Sequence, residues 1–256
     1  MNSVLSIGIF IIGLCFGSFA NVIIYRVPRG ISIVKPRSAC TACGKTLGAV
    51  DLLPVLSWLF LRGKCRACGA KISPQYPLVE LMCAVLFVAM FMHSPTLSFL
   101  PLAVFAFVLL TISFIDAYTQ EIPDGLIITG AVAGILWIAS GHLTHWQDAL
   151  LGVIAGAVPL FVIDRLTLII LKKDGFGFGD VKLMAMVGLF LGWRMVFLAF
   201  FIAFVLGAIF AVYLIASGKA KRESYMAFAP FLCIGTLTAF WFGEWLLAVY
   251  FGLNII

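Results

Sequence analysis

Charge is scarce in this chain. Among 256 residues there are 17 Lys and Arg, 11 Asp and Glu and only three His, so 11% of positions are charged while 63% are hydrophobic. With a mean hydropathy of +1.16, this excludes an ordinary soluble globular domain, in which about a quarter of residues carry charge. The net charge of +6 is what topology and anionic lipid require of juxtamembrane cations. The partner it implies is therefore membrane lipid and not nucleic acid. The few histidines, His93, His142 and His145, fall at or near turns and are poor catalytic candidates. The polar loop lacks a glycine-rich nucleotide fingerprint. The first apolar run, Val4–Ile24, lacks a basic leader and a small-residue cleavage site, so it reads as a retained span and not a signal peptide.

What is present in abundance is apolar sequence in long runs. Eight stretches are distinguishable: Val4–Ile24, Leu78–His93, Phe99–Ile115, Gly125–Ser140, Ala149–Leu171, Val181–Gly192, Met195–Ala216 and Phe228–Phe251. A helical crossing takes ~20 residues, so the short sixth stretch reads as a partial or tilted helix. The expectation is an all-α polytopic membrane protein with about eight transmembrane helices.

The cations orient it. Nine of the 17 lie between Arg26 and Lys71, in the one long polar segment. Lys172, Lys173 and Lys182 flank a later loop, and Lys219, Lys221 and Arg222 follow the seventh stretch. The opposite side holds only Arg194, while Arg165 lies inside the fifth stretch. This bias places the long loop in the cytoplasm.

Of seven cysteines, Cys15, Cys83 and Cys233 sit singly in apolar runs, where small hydrophobic packing is the ordinary role. The other four form Cys40-Thr41-Ala42-Cys43-Gly44 and Cys65-Arg66-Ala67-Cys68-Gly69, with 21 residues between the pairs. Two CxxC turns, each followed by Gly, can present four thiolates to one Zn²⁺. Disulfides are the competing reading, and they are rare in a reducing cytoplasm. Four thiolate ligands leave no open position, so the metal is expected to be structural, supplying on the order of 10 kcal/mol to a loop that has little core of its own.

Two carboxylates stand where apolar runs break. Asp116 follows Phe99–Ile115 and precedes Glu121-Ile122-Pro123-Asp124, and Asp180 closes Gly177-Phe178-Gly179-Asp180, a GxGD motif. A carboxylate at the edge of hydrocarbon is costly and marks function by default. Two spans separate them, so both return to the same face. Two anions ~5 Å apart at an effective dielectric of ~20 repel by roughly 3 kcal/mol, so such a pair should share a proton. One ionised carboxylate would activate water while its protonated partner donates to the scissile carbonyl. A proton or ion pathway, or a helix cap, is the alternative use of a membrane carboxylate. Asp124, between Pro123 and the Gly125–Ser140 run, reads as such a cap.

Beyond these features the chain resembles the type IV prepilin peptidases, bacterial leader peptidase/N-methyltransferases. Gly17-Ser18-Phe19-Ala20-Asn21 through Tyr25-Arg26-Val27-Pro28 is similar to that family's exit from the first span. The two CxxC pairs, Leu53-Pro54 with Ser57-Trp58, Leu61-Arg62-Gly63-Lys64, and Ile72-Ser73 through Tyr76-Pro77-Leu78-Val79-Glu80 continue it in order. Asp116, Ile122-Pro123-Asp124, Gly175 through Leu183 and a late Ala229-Pro230-Phe231 complete it. The first pair departs from the family's usual Cys-Pro-x-Cys, and Val181 stands where Phe is frequent; neither change touches a thiolate or a carboxylate.

The resemblance implies a two-step enzyme of the bacterial inner membrane. Cleavage of the leader of type 4 prepilins or type II secretion pseudopilins, at the cytoplasmic face, would use Asp116 and Asp180. Methylation of the new amino terminus would follow, with S-adenosylmethionine as donor. Residues 1–25 would form the first span, 26–77 a cytoplasmic zinc loop associated with methyl transfer, and 78–256 a transmembrane aspartyl peptidase domain. Glu80 is a candidate for binding the methyl donor or orienting the amine, or for pairing with a nearby Arg or Lys. An intramembrane GxGD protease of presenilin or signal-peptide-peptidase type, and a proton- or ion-coupled transporter, are the alternatives.

Overall fold

Long uninterrupted apolar runs leave the backbone one way to satisfy its hydrogen bonds in hydrocarbon, the helix. The computed structural model describes residues 2–141, 146–172, 177–218 and 226–251. His142, His145, Lys173, Gly175, Phe176, Lys219, Lys221 and Arg222 lie outside the described residues. The helices are α1 (Asn2–Arg26), α2 (Leu56–Phe60), α3 (Gln75–His93), α4 (Phe99–Thr119), α5 (Asp124–Ala139), α6 (Trp146–Leu171), α7 (Phe178–Ala216) and α8 (Ala229–Phe251). Among the described residues there is no named strand, only the isolated bridges Ala39–Thr46 and Lys64–Lys71. Six helices are long and apolar enough to cross a membrane, all but α2 and the shorter α5. Large apolar side chains such as Ile7, Ile169 and Val212 are exposed along them, as a surface solvated by lipid requires. The chain is an all-helical, multi-pass membrane protein.

It divides into two compact units, Met1–Thr111 and Ile112–Ile256. In the first unit α1 packs on α3 through Gly13 and Gly17. A Cβ on Gly13 would lie 2.6 Å from the Ala84 Cα, and one on Gly17 2.5 Å from the Glu80 Cα. Two small residues four apart allow this backbone approach, which is how helices gain packing energy where no hydrophobic effect operates. One turn further on, Asn21 donates its Nδ2 to the Tyr76 carbonyl at 3.0 Å. Beside the glycine seam, Phe16 packs 5.5 Å from Phe87 and edge-on to Phe107 at 5.9 Å.

In the second unit α5, α6 and α8 pack on α7. Gly152 of α6 and Gly188 of α7 touch backbone to backbone, a Cβ on Gly188 meeting the Gly152 carbonyl at 2.2 Å. At 39 residues, α7 would run ~58 Å if straight, about twice the hydrocarbon thickness. It breaks at Gly192, whose φ of 69° and ψ of 174° are not helical and are open only to a residue without Cβ. The sixth and seventh apolar stretches, Val181–Gly192 and Met195–Ala216, are therefore the two limbs of one broken helix.

Candidate functional site

Three acidic side chains are buried among the described residues, Glu80, Asp116 and Asp180. Two of them belong to the second unit. Asp116 lies in the last turn of α4 and is 6% exposed. Its Oδ2 accepts the backbone N–H of Ala229 at 2.9 Å. Ala229 opens α8, so its N–H is one of the donors a helix leaves without an internal partner, and a helix N-terminus is a favourable seat for a carboxylate. Pro230 follows, at a position where a missing N–H costs nothing. The late Ala229-Pro230-Phe231 segment thus has a physical role: it starts a helix against Asp116.

Asp180 lies in the first turn of α7, 7% exposed. Its neighbour Gly179 is packed so closely that a Cβ there would lie 2.9 Å from the Cβ of Ile122. Three residues further from that contact, Lys182 pairs with Asp124. The connection after α4 and the start of α7 are therefore fastened at two points, one apolar and one ionic. This bears on the reading of Asp124. The residue at the N-cap of α5 is Pro123, with no side-chain cap bond, and Asp124 lies in the first turn; it is an ion-pair partner and not a cap.

The fastening joins the connection that follows Asp116 to the helix start that carries Asp180. The charge of Asp116 acts on Asp180, and both act on the buried thiol of Cys233 in α8. The Asp180 Oδ1 is buried and has no hydrogen-bond partner among the described residues. A buried carboxylate oxygen without a donor is expensive, so this atom is where a proton, a water or a substrate group would sit. A pocket of about 430 Å³ in the second unit is lined by Ala117, the residue after Asp116 in α4, and by Gln120, Phe210, Met226, Pro230 and Phe231.

The second cluster lies in the first unit. The Sγ atoms of Cys40, Cys43, Cys65 and Cys68 all lie within 4.8 Å of one another, with Cys40 and Cys68 4.0 Å apart. Tetrahedral Zn²⁺ with Zn–S bonds near 2.3 Å separates its sulfurs by ~3.8 Å, so the donor set fits. Each CxxC is a tight turn closed the same way. The Gly44 N–H donates to the Cys40 carbonyl and the Gly69 N–H to the Cys65 carbonyl, both at 2.9 Å. Both glycines take positive φ, 70° and 72°, which a side chain would strain. Backbone N–H groups and neighbouring thiols act unequally on Cys40 and Cys68. Backbone N–H groups of Cys43 and then Ala42 pull the Cys40 thiol down to about 6. At Cys68 the Ala70 N–H also lowers, but the neighbouring thiol of Cys43, desolvation, and the thiols of Cys65 and Cys40 outweigh it and push the group up to about 11. A divalent cation at the centre lets all four be thiolates at once.

Glu80 belongs to neither cluster. It lies on α3 with its carboxylate accepting the Val55 N–H at 2.7 Å. Sequence reading missed this partner, the Ala229 donor and the Ile122–Gly179 contact, because each involves backbone or a residue distant in the chain.

Comparison with known proteins adds independent findings. Residues 11–94 match the bacterial peptidase A24 N-terminal domain, and residues 103–212 match the type IV leader peptidase family. The chain is 35% identical to the prepilin leader peptidase/N-methyltransferase of Bacillus subtilis (strain 168), over 94% of this chain and 96% of that protein. It is 34% identical to the protein of that name from Pseudomonas putida, over 91% and 90%. For Aeromonas hydrophila the identity is 32%, over 92% and 90%. No solved structure matches.

Proposed function

The chain belongs to the type IV leader peptidase family, and from that premise we propose that it is an aspartic endopeptidase and N-methyltransferase acting on prepilins or pseudopilins. The observation that carries the peptidase reading is the buried carboxylate pair, with the Asp180 Oδ1 lacking a hydrogen-bond partner among the described residues. Asp116, facing the Ala229 N–H, holds an acceptor geometry suited to the ionised partner. The Asp180 Oδ1 faces no donor among the described residues and is suited to carry the shared proton. Asp116 then removes a proton from water as it attacks the scissile carbonyl, and Asp180 protonates the carbonyl oxygen. As the C–N bond breaks, Asp116 gives the proton it took from water to the leaving amine, and Asp180 recovers its proton from the gem-diol hydroxyl as the new carboxyl group forms. The pocket that begins at Ala117, next to Asp116 in α4, is where this reading places the substrate segment.

The proposed organisation keeps residues 1–25 as the first span, 26–77 as a zinc loop associated with methyl transfer, and 78–256 as the peptidase domain. It has eight crossings if α5 and both limbs of α7 each traverse, in the bacterial inner membrane. The cation bias supports the cytoplasmic face for the loop and both aspartates. Cys40, Cys43, Cys65 and Cys68 would hold Zn²⁺, which fixes the loop and has no open position for chemistry. The relatives' name gives N-methyltransferase, and S-adenosylmethionine is the methyl donor proposed here; no set of described residues marks its site, and the hydrolytic steps stand without it.

The decisive experiment mixes detergent-solubilised protein with a prepilin peptide and weighs the products. Cleavage at one bond after the basic leader is the expected result. An intact peptide under conditions where the protein is folded and monodisperse would sink the reading, and cleavage within the apolar segment would favour a general intramembrane protease.

A further inference from the structure

Glu80 is a buried acid that hydrolysis does not use, and its surroundings are specific. Its backbone is pressed against α1, where a Cβ on Gly17 would meet the Glu80 Cα at 2.5 Å. Its Oε2 reaches out of α3 to the N–H of Val55, 25 residues away in sequence, at 2.7 Å.

Val55 has φ 60° and ψ −49°, and the Leu56 N–H closes on the Pro54 carbonyl at 2.5 Å. Those angles and that bond define the rare γ-turn of positive φ, which is strained for any residue and most of all for a β-branched one. A residue persists there only if its surroundings hold it. The turn launches α2, whose Trp58 donates Nε1 to the Ile72 carbonyl at 3.2 Å and packs its ring on Gly63. Gly63 and Ile72 are themselves joined, the Ile72 N–H donating to the Gly63 carbonyl at 2.7 Å. The next residues in from that pair, Lys64 and Lys71, form the bridge that encloses the Cys65–Cys68 turn. An unbroken series of bonds thus runs from the Glu80 carboxylate to half of the cysteine cluster.

We propose that Glu80 is a positioning residue: by holding the N–H of the strained Val55 turn, it fixes α2 and the Cys65–Cys68 turn to the α1–α3 pair. It acts through the loop and does not touch substrate or methyl donor. The inference rests on the cluster being a zinc site only for its metal readout; the turn itself is tested without metal.

The experiment uses full-length protein in detergent, comparing wild type with Glu80→Gln, Glu80→Ala and Glu80→Ala/Val55→Gly. Amide hydrogen exchange is read in the segment 55–61, zinc by elemental analysis, and methylation of cleaved prepilin by mass. Glu80→Ala should speed exchange at Val55 by about tenfold or more, since a bond to a charged acceptor is lost, and should lower zinc occupancy. Glu80→Gln should stay near wild type in all three, because its amide oxygen accepts the same N–H. Adding Val55→Gly to Glu80→Ala should recover part of the zinc and methylation, because glycine takes that φ unaided while the tether to α3 stays lost. Unchanged exchange in Glu80→Ala overturns the proposal. So does a Glu80→Gln protein that loses methylation while keeping exchange and zinc, which would mean that the charge meets the chemistry. A wild type that carries no zinc overturns the metal site alone, and exchange then decides the role of Glu80.

Discussion

At the scale of single residues, the two aspartates are tied to the rest of the fold very differently from each other. Asp116 is engaged by a backbone N–H at the start of α8, while Asp180 keeps one buried oxygen without a hydrogen-bond partner among the described residues. Asn is close in shape, still offers an oxygen to Ala229, and cannot carry a proton between water and substrate. Asp116→Asn and Asp180→Asn should therefore each lower leader cleavage by about 10²-fold or more with the protein still folded, read as the mature-to-precursor ratio by mass. Near-normal turnover by either variant removes that residue from the mechanism. Asp124→Asn should be mild, because its partner pair with Lys182 is exposed at 66% and 33% and such pairs contribute at most about 1 kcal/mol. A loss as deep as that of the buried pair would place Asp124 in the chemistry. Asp116 and Asp180 are legible in sequence because a carboxylate is so costly at the end of an apolar run. Asp124 is not. Pro123-Asp124-Gly125 looks locally like a helix start, and a partner 58 residues away leaves no trace in a local pattern.

At the scale of elements, glycines decide where helices and turns may touch. The GxGD motif is weak as a string, and its physical content appears only when Ile122 is seen against Gly179. Gly179→Ala would drive a Cβ to 2.9 Å from the Ile122 Cβ, and overpacking of this kind costs about 1–3 kcal/mol. The first turn of α7 would shift, carrying Asp180 with it, and reacting groups displaced by ~1 Å lose about 10²-fold in rate. Cleavage by Gly179→Ala should fall at least about tenfold, and Ile122→Ala in the same chain should recover part of it by making room. No recovery in the double variant would mean that Gly179 is needed for something other than this contact. The helices are legible from the apolar runs: seven stretches fall on the six long helices, with Val181–Gly192 and Met195–Ala216 sharing α7, and Gly125–Ser140 falls on the shorter α5, all to within a residue. The break in α7 was not placed as a break. Trp193 and Arg194 look like a loop between two runs, whereas the helix resumes directly after Gly192, with the Arg194 guanidinium 5.3 Å from the Trp193 ring centre. The Gly13–Gly17 seam also went unread, because a small residue in an apolar run becomes informative only when its facing helix is known.

At the scale of the whole molecule, the two chemical clusters belong to different compact units: the cysteines to Met1–Thr111 and the aspartates to Ile112–Ile256. Peptide hydrolysis needs two carboxylates and water. Methylation needs a donor held against a new amine, a demand on a folded binding surface. The cysteine cluster supports such a surface if its metal is structural. Zinc holds thiolates and not thiols, so protons compete with it; occupancy should be close to one per chain at neutral pH and should fall as the pH is lowered. Cys65→Ser removes one ligand of four and should lower occupancy at neutral pH as well, measured by elemental analysis of protein purified without chelator. Given a prepilin, that variant should still cut the leader but leave the mature chain short of a methyl group, a mass difference that one spectrum resolves. Methylation should drop by about tenfold or more, the usual cost of disturbing a metal's surroundings, with cleavage reduced much less. Equal loss of both steps would show that the loop scaffolds the aspartates too, for instance by receiving the substrate's leader, and the separation of the two activities between the two units would have to be abandoned.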